Sequence, residues 1–135
     1  MTGKRIVWIA GLVVYAGAIF FISGLPLDES PPFLAFPRSD GLLHATEFAV
    51  FFVLARKATG KTALALLLTA VYAGSDELHQ AFVPAREASL VDFGFDILGA
   101  LVAAIARTVI GRYSLLPAIR RRILAIRASE KEKGN

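Results

Sequence analysis

The chain contains no cysteine. That excludes disulfides, thiolate metal sites and a cysteine nucleophile. It is also poor in charge. Asp, Glu, Lys and Arg make up 19% of its 135 residues, where a soluble domain carries about 25%. The shortage is uneven: residues 6–22, IVWIAGLVVYAGAIFFI, hold no charge at all. Acidic residues are nearly missing from the C-terminal tail, where only Glu130 and Glu132 occur. Low-complexity segments and repeats are absent, so an array or a disordered linker protein is excluded.

What is present is apolar and comes in blocks. Hydrophobic residues reach 56%, and the mean hydropathy is +0.59. The length suits one domain. The net charge of +4 and the pI near 9.8 do not indicate nucleic acid, because the basic residues flank apolar blocks, as in membrane proteins.

About 20 apolar residues span a bilayer core. Helices are therefore expected over about 5–23, 41–56, 62–80 and 89–110. The first follows Lys4 and Arg5, which resemble the start of a signal peptide. Its apolar run is too long for one, and no small-x-small cleavage site follows. The loop 24–40 holds four prolines, and Pro84 breaks the turn between the third and fourth helices. Residues 112–135 form a basic tail; 118–128 read equally as an amphipathic surface helix or as a positively charged tail with a disordered end. The expected fold is all-α, an integral membrane four-helix bundle over residues 1–111.

Of the 15 basic residues, 13 fall on one side of this topology; only Arg38 and Arg86 fall on the other. The positive-inside rule then places both termini in the cytoplasm. Nine of the 11 acidic residues and both histidines lie between residues 28 and 96, in the outer loops or at the outer ends of helices 2 to 4. Helical spacing groups them. Asp40, His44 and Glu47 share one stripe. Tyr72, Asp76 and His79 share another, with Gln80 close by and Glu77 roughly 100° away. Asp92 and Asp96 share a third, continued by Gly99 and Ala103, small residues that allow close helix approach. Charges facing lipid cost at least about 2.5–3.5 kcal/mol each, so these stripes are expected to face inward around one pocket. Arg86 would pair with Asp76 or Asp92.

The segment DELHQAFVPAREASLVD at 76–92, with SGLP at 23–26, DGLLHATEF at 40–48 and DILGA at 96–100, resembles the VanZ-like family of bacterial membrane proteins. The resemblance covers about residues 20–105. It implies a four-helix protein of the cell envelope, in the bacterial cytoplasmic membrane. The name-giving member is linked to low-level teicoplanin resistance. Asp96 and Glu47 depart from the family pattern, which carries Asn and an apolar residue there, and both add acid.

The candidate catalytic groups are Asp76, Glu77, His44 and Asp92, which supply general acids and bases. The candidate ligand-binding residues are Arg86, Gln80, His79, Asp40, Glu47, Tyr72, Ser89 and Asp96. A divalent metal would find N and O donors at His44, Glu47, Asp76 and His79, at a spacing that matches no established motif. The expected partner is a membrane lipid or a lipid-linked envelope precursor, which the protein binds and, as an enzyme, modifies. The alternatives are a lipid or lipoglycopeptide binder without turnover, and a polar network that only fixes helix register. GKT at 60–62 lacks the upstream glycines of a phosphate loop. Gly11 and Gly17 are not spaced for a GxxxG dimer.

Overall fold

The computed structural model describes residues 3–25 and 41–133, with side chains as far as Tyr113. Asp40 and most of the proline-rich loop lie outside the described residues. The described chain is all-helical: α1 (Gly3–Ser23), α2 (Gly41–Thr59), α3 (Thr62–Gln80) and α4 (Leu90–Lys133). It divides into two compact units, Met1–Ala104 and Ile105–Asn135.

Local chemistry accounts for the boundaries. Gly60 has φ +74, the left-handed conformation a glycine adopts at no steric cost just past a helix end. Its N–H donates to the Arg56 carbonyl at 3.0 Å. This carries α2 to Thr59, beyond the expected residue 56. Ser89 caps α4: its Oγ accepts the Asp92 N–H at 3.1 Å, which satisfies a donor that the first helical turn leaves over.

The largest difference from expectation is the length of α4. The fourth helix does not stop at residue 110; its backbone stays helical to Lys133. Gly111 has no left-handed φ to stop it. The residues beyond Pro117 are mostly Arg, Leu, Ile, Ala, Glu and Lys, which favour helix. Residues 118–128 are therefore helical.

α1, α2 and α3 pack on one another. Their shared core holds Ile19, Phe48, Phe51, Phe52, Ala55, Ala65 and Ala73. Phe51 stacks on Tyr72, with ring centroids 4.7 Å apart. The small residues let the backbones approach where large ones would not.

α4 also approaches α2 closely at two glycines. A Cβ on Gly99 would strike the Ala45 backbone, and one on Gly41 would strike the Phe95 ring. These two glycines set the distance between the helices.

The outside is apolar. α1 buries only Ile19 and Ser23, and it exposes Val7, Val13, Val14, Phe20 and Phe21. A helix apolar all round belongs in a core or in lipid. Gly3–Ser23 and Leu90–Tyr113 are each long and apolar enough to cross a membrane. α2 and α3, of 19 residues each, match the first span in length but carry charged groups.

Candidate functional site

The polar ties cluster at the same ends of the helices: the last turn of α1, the start of α2, the end of α3 and the start of α4. They fall into two neighbouring sets, which the geometry of α3 separates.

The first set faces α1. Asp76 is buried, yet both of its oxygens are engaged. Ser23 Oγ donates to Oδ1 at 2.6 Å, and Gln80 Nε2 donates to Oδ2 at 2.8 Å. One turn earlier, the Tyr72 hydroxyl donates to the Ala16 carbonyl at 2.5 Å. One turn later, the His79 ring stacks on Phe20 at 4.0 Å. Tyr72, Asp76 and His79 thus form the stripe their spacing implies, and the stripe faces α1. Arg86 joins this region: its Nε donates to the Leu25 carbonyl at 3.0 Å and its Nη2 to the Ile22 carbonyl at 3.5 Å. These contacts fasten the α3–α4 turn to the end of α1. Among the described residues the expected ion pair of Arg86 with Asp76 or Asp92 is not formed; the ion pair present is His44–Asp96.

The second set faces α4. Glu77 lies one residue, and so about 100°, from Asp76. Its Oε2 accepts the Ser89 N–H at 2.6 Å. An acid in the last turn of α3 opposes that helix's dipole, and the N-terminus of α4 offsets this. From α2, His44 Nδ1 lies 3.1 Å from Asp96 Oδ1. Asp96 is completely buried and Glu77 is 7% exposed. One donor atom from each of His44, Glu77 and Asp96 can be chosen so that all three lie within 4.8 Å of one another. Glu77 Oε1 and Asp96 Oδ2 are buried with no hydrogen-bond partner among the described residues.

Beside Glu77 a cavity of about 330 Å³ opens between α3 and α4. Gly74, Leu78, Ala88, Leu90 and Phe93 line it, with Glu77 and Ser89 as the polar residues of its wall.

Asp92 is half-buried at the first turn of α4. Glu47 is half-buried on α2, and its backbone carbonyl accepts the Tyr15 hydroxyl at 3.2 Å. The metal-type grouping therefore differs from the one spacing offered. His44 is shared, but Glu77 and Asp96 stand with it, while Asp76 is saturated by Ser23 and Gln80. Ser23, which helical spacing does not mark, belongs to this site through Asp76; its signal in the sequence is its place in SGLP.

The profile described as VanZ/LLP1 matches residues 18–111, the span that supplies both polar sets. The chain belongs to the VanZ/LLP1 family. No match was found among the curated proteins or among the solved structures. This VanZ/LLP1 chain is thus a helical membrane protein of an envelope family, and its buried charged residues Asp76, Glu77 and Asp96 lie toward the same end of the helices.

At the opposite end Arg5 Nε donates to the Ala58 carbonyl at 2.9 Å. Lys57 sits 3.9 Å above the Trp8 ring, a cation–π contact. Along α1 to α3 the basic and acidic groups therefore occupy opposite ends.

Proposed function

We propose that this VanZ/LLP1 protein is a multi-pass protein of the bacterial cytoplasmic membrane. Its termini lie in the cytoplasm, and it holds an amphiphilic ligand in the cavity between α3 and α4. The ligand class is a membrane lipid or a lipid-linked envelope precursor. The observation that carries the reading is the composition of the cavity: five apolar residues line it, together with Ser89 and Glu77, a buried carboxylate with one unpartnered oxygen among the described residues. Its volume lies near the lower end of ligand pockets, which run from about 300 to 1,000 Å³. Acyl or prenyl methylenes match the apolar wall. Headgroup N–H or O–H donors match Glu77, because a buried acceptor left unmade costs about 1–3 kcal/mol. Leu78 and Leu90 are also exposed on the outer surface, which gives such a ligand an apolar approach from the lipid. A lipoglycopeptide answers the same description, which keeps teicoplanin among the ligands to try.

His44, oriented by Asp96, and Glu77 have the groups needed for general acid–base transfer. Turnover decides whether the protein is a binder or an enzyme.

The test is native mass spectrometry of the protein extracted gently from membranes. Wild type should carry one amphiphile per chain. Gly74→Trp, which grows into the cavity, and Glu77→Gln should lose it. An unliganded wild type, or a ligand that both variants retain, refutes the proposal. Incubation with envelope lipids then separates the two modes: product in excess of protein marks an enzyme, and a stoichiometric adduct alone marks a binder.

A further inference from the structure

His44, Glu77 and Asp96 come from three different helices, and α2 and α4 meet so closely that no side chain separates Gly99 from Ala45. A constellation assembled this way and buried in an apolar bundle requires compensation. Ser89 N–H satisfies one oxygen of Glu77. His44 satisfies one oxygen of Asp96. One oxygen of each carboxylate remains buried without a partner among the described residues. His44 can supply at most one positive charge against two carboxylates. Each carboxylate keeps one unsatisfied oxygen among the described residues, and one donor atom from each of His44, Glu77 and Asp96 lies within 4.8 Å of the other two; such a group is the complement of a cation.

We infer that His44, Glu77 and Asp96 form a divalent-cation site of the zinc or manganese class. The donor set selects that class. One imidazole and two carboxylates, without thiolate, suit zinc and manganese better than a soft ion, and the imidazole argues against magnesium or calcium. Three protein ligands around zinc leave the fourth position open. Of the three, Glu77 also lines the cavity. Ligand atoms about 2.0–2.2 Å from a tetrahedral ion stand roughly 3.4 Å apart, so the ion draws the three side chains inward by up to about an ångström. The Ser89 N–H on Glu77 fixes that carboxylate's orientation, the usual task of groups behind a metal ligand. The inference goes beyond the amphiphile reading and stands without it: an ion can bind whether or not a lipid does.

The experiment uses the full chain in mild detergent, stripped with chelator and then titrated with Zn²⁺ and separately with Mn²⁺. Bound metal is counted by inductively coupled plasma mass spectrometry, and affinity is read by calorimetry. One ion per wild-type chain is expected, with a rise in the thermal midpoint. Glu77→Gln, Asp96→Asn and His44→Ala should each weaken binding at least tenfold while retaining helical circular dichroism. His79→Ala should bind like wild type, since His79 lies stacked on Phe20. Gly74→Trp should keep the ion even though it blocks the cavity, which separates failure of this inference from failure of the amphiphile reading. Wild type that takes up neither ion overturns the inference, independently of how any variant folds. So does binding that survives His44→Ala and Asp96→Asn, or that depends on His79.

Discussion

Gly99 and Gly94 lie five residues apart on α4, and the same substitution at each should act with opposite sign. A Cβ at Gly99 meets the backbone of Ala45 on α2, whereas a Cβ at Gly94 meets nothing within 4 Å. At Gly94 only the helix preference changes, and alanine gains roughly 0.5–1 kcal/mol over glycine. At Gly99 the same gain is set against an overlap that no rotamer can relieve, because the obstacle is main chain. Overpacking costs about 1–3 kcal/mol. The helices must also part beside the His44–Asp96 contact, and a hydrogen bond between membrane helices is worth about 0.6 kcal/mol on average. Gly99→Ala should therefore be less stable by about 1–2 kcal/mol, and Gly94→Ala more stable by up to about 1 kcal/mol. The assay is SDS-driven unfolding in mixed micelles, followed by far-UV circular dichroism. Equal shifts for the two variants, or a stabilised Gly99→Ala, would refute the close approach of α2 and α4.

Three further outcomes are expected. In a double-mutant cycle of Ser23→Ala and Asp76→Asn, the pair should couple by at least about 0.5 kcal/mol, because the 2.6 Å hydrogen bond joins α1 to α3; additive single effects would dismiss it. Ala85 has φ 60, which for a residue with a Cβ costs about 1–2 kcal/mol; Ala85→Gly should be neutral to stabilising and Ala85→Val destabilising in the same unfolding assay. Single cysteines at positions 60 and 85 should be tagged from opposite sides of intact cells, with 85 reached from outside; external labelling at 60 alone would invert the proposed orientation.

Much of this arrangement was legible in the sequence, for identifiable reasons. The four helices follow from apolar blocks and from punctuation by Gly60, Pro84 and the proline-rich loop. The split between Asp76 and Glu77 follows from the helical angle between adjacent residues. The spacing did not reveal which neighbour each face meets. Asp76 finds Ser23 and Glu77 finds Ser89, 12 residues on, because of how the helices are arranged around one another, a property of packing that periodicity does not encode. For the same reason His79 looked like a partner of His44, although it stacks on Phe20. The end of α4 was missed because a helix of arginine, leucine and alanine continues where hydropathy stops.

Glu77 divides its two oxygens between different tasks. One accepts the N–H of Ser89, the residue that caps α4, and the other is buried without a partner among the described residues, on a side chain that also lines the cavity. Occupancy of the pocket and order in the α3–α4 turn are then thermodynamically linked. A ligand that prefers the carboxylate as Ser89 holds it steadies the turn, and a change that loosens the turn weakens that ligand, by no more than the ligand's own preference for the ordered turn. Substitutions as far away as Ala85 or Pro84 would then register as changes in affinity, with no contact to the ligand at all.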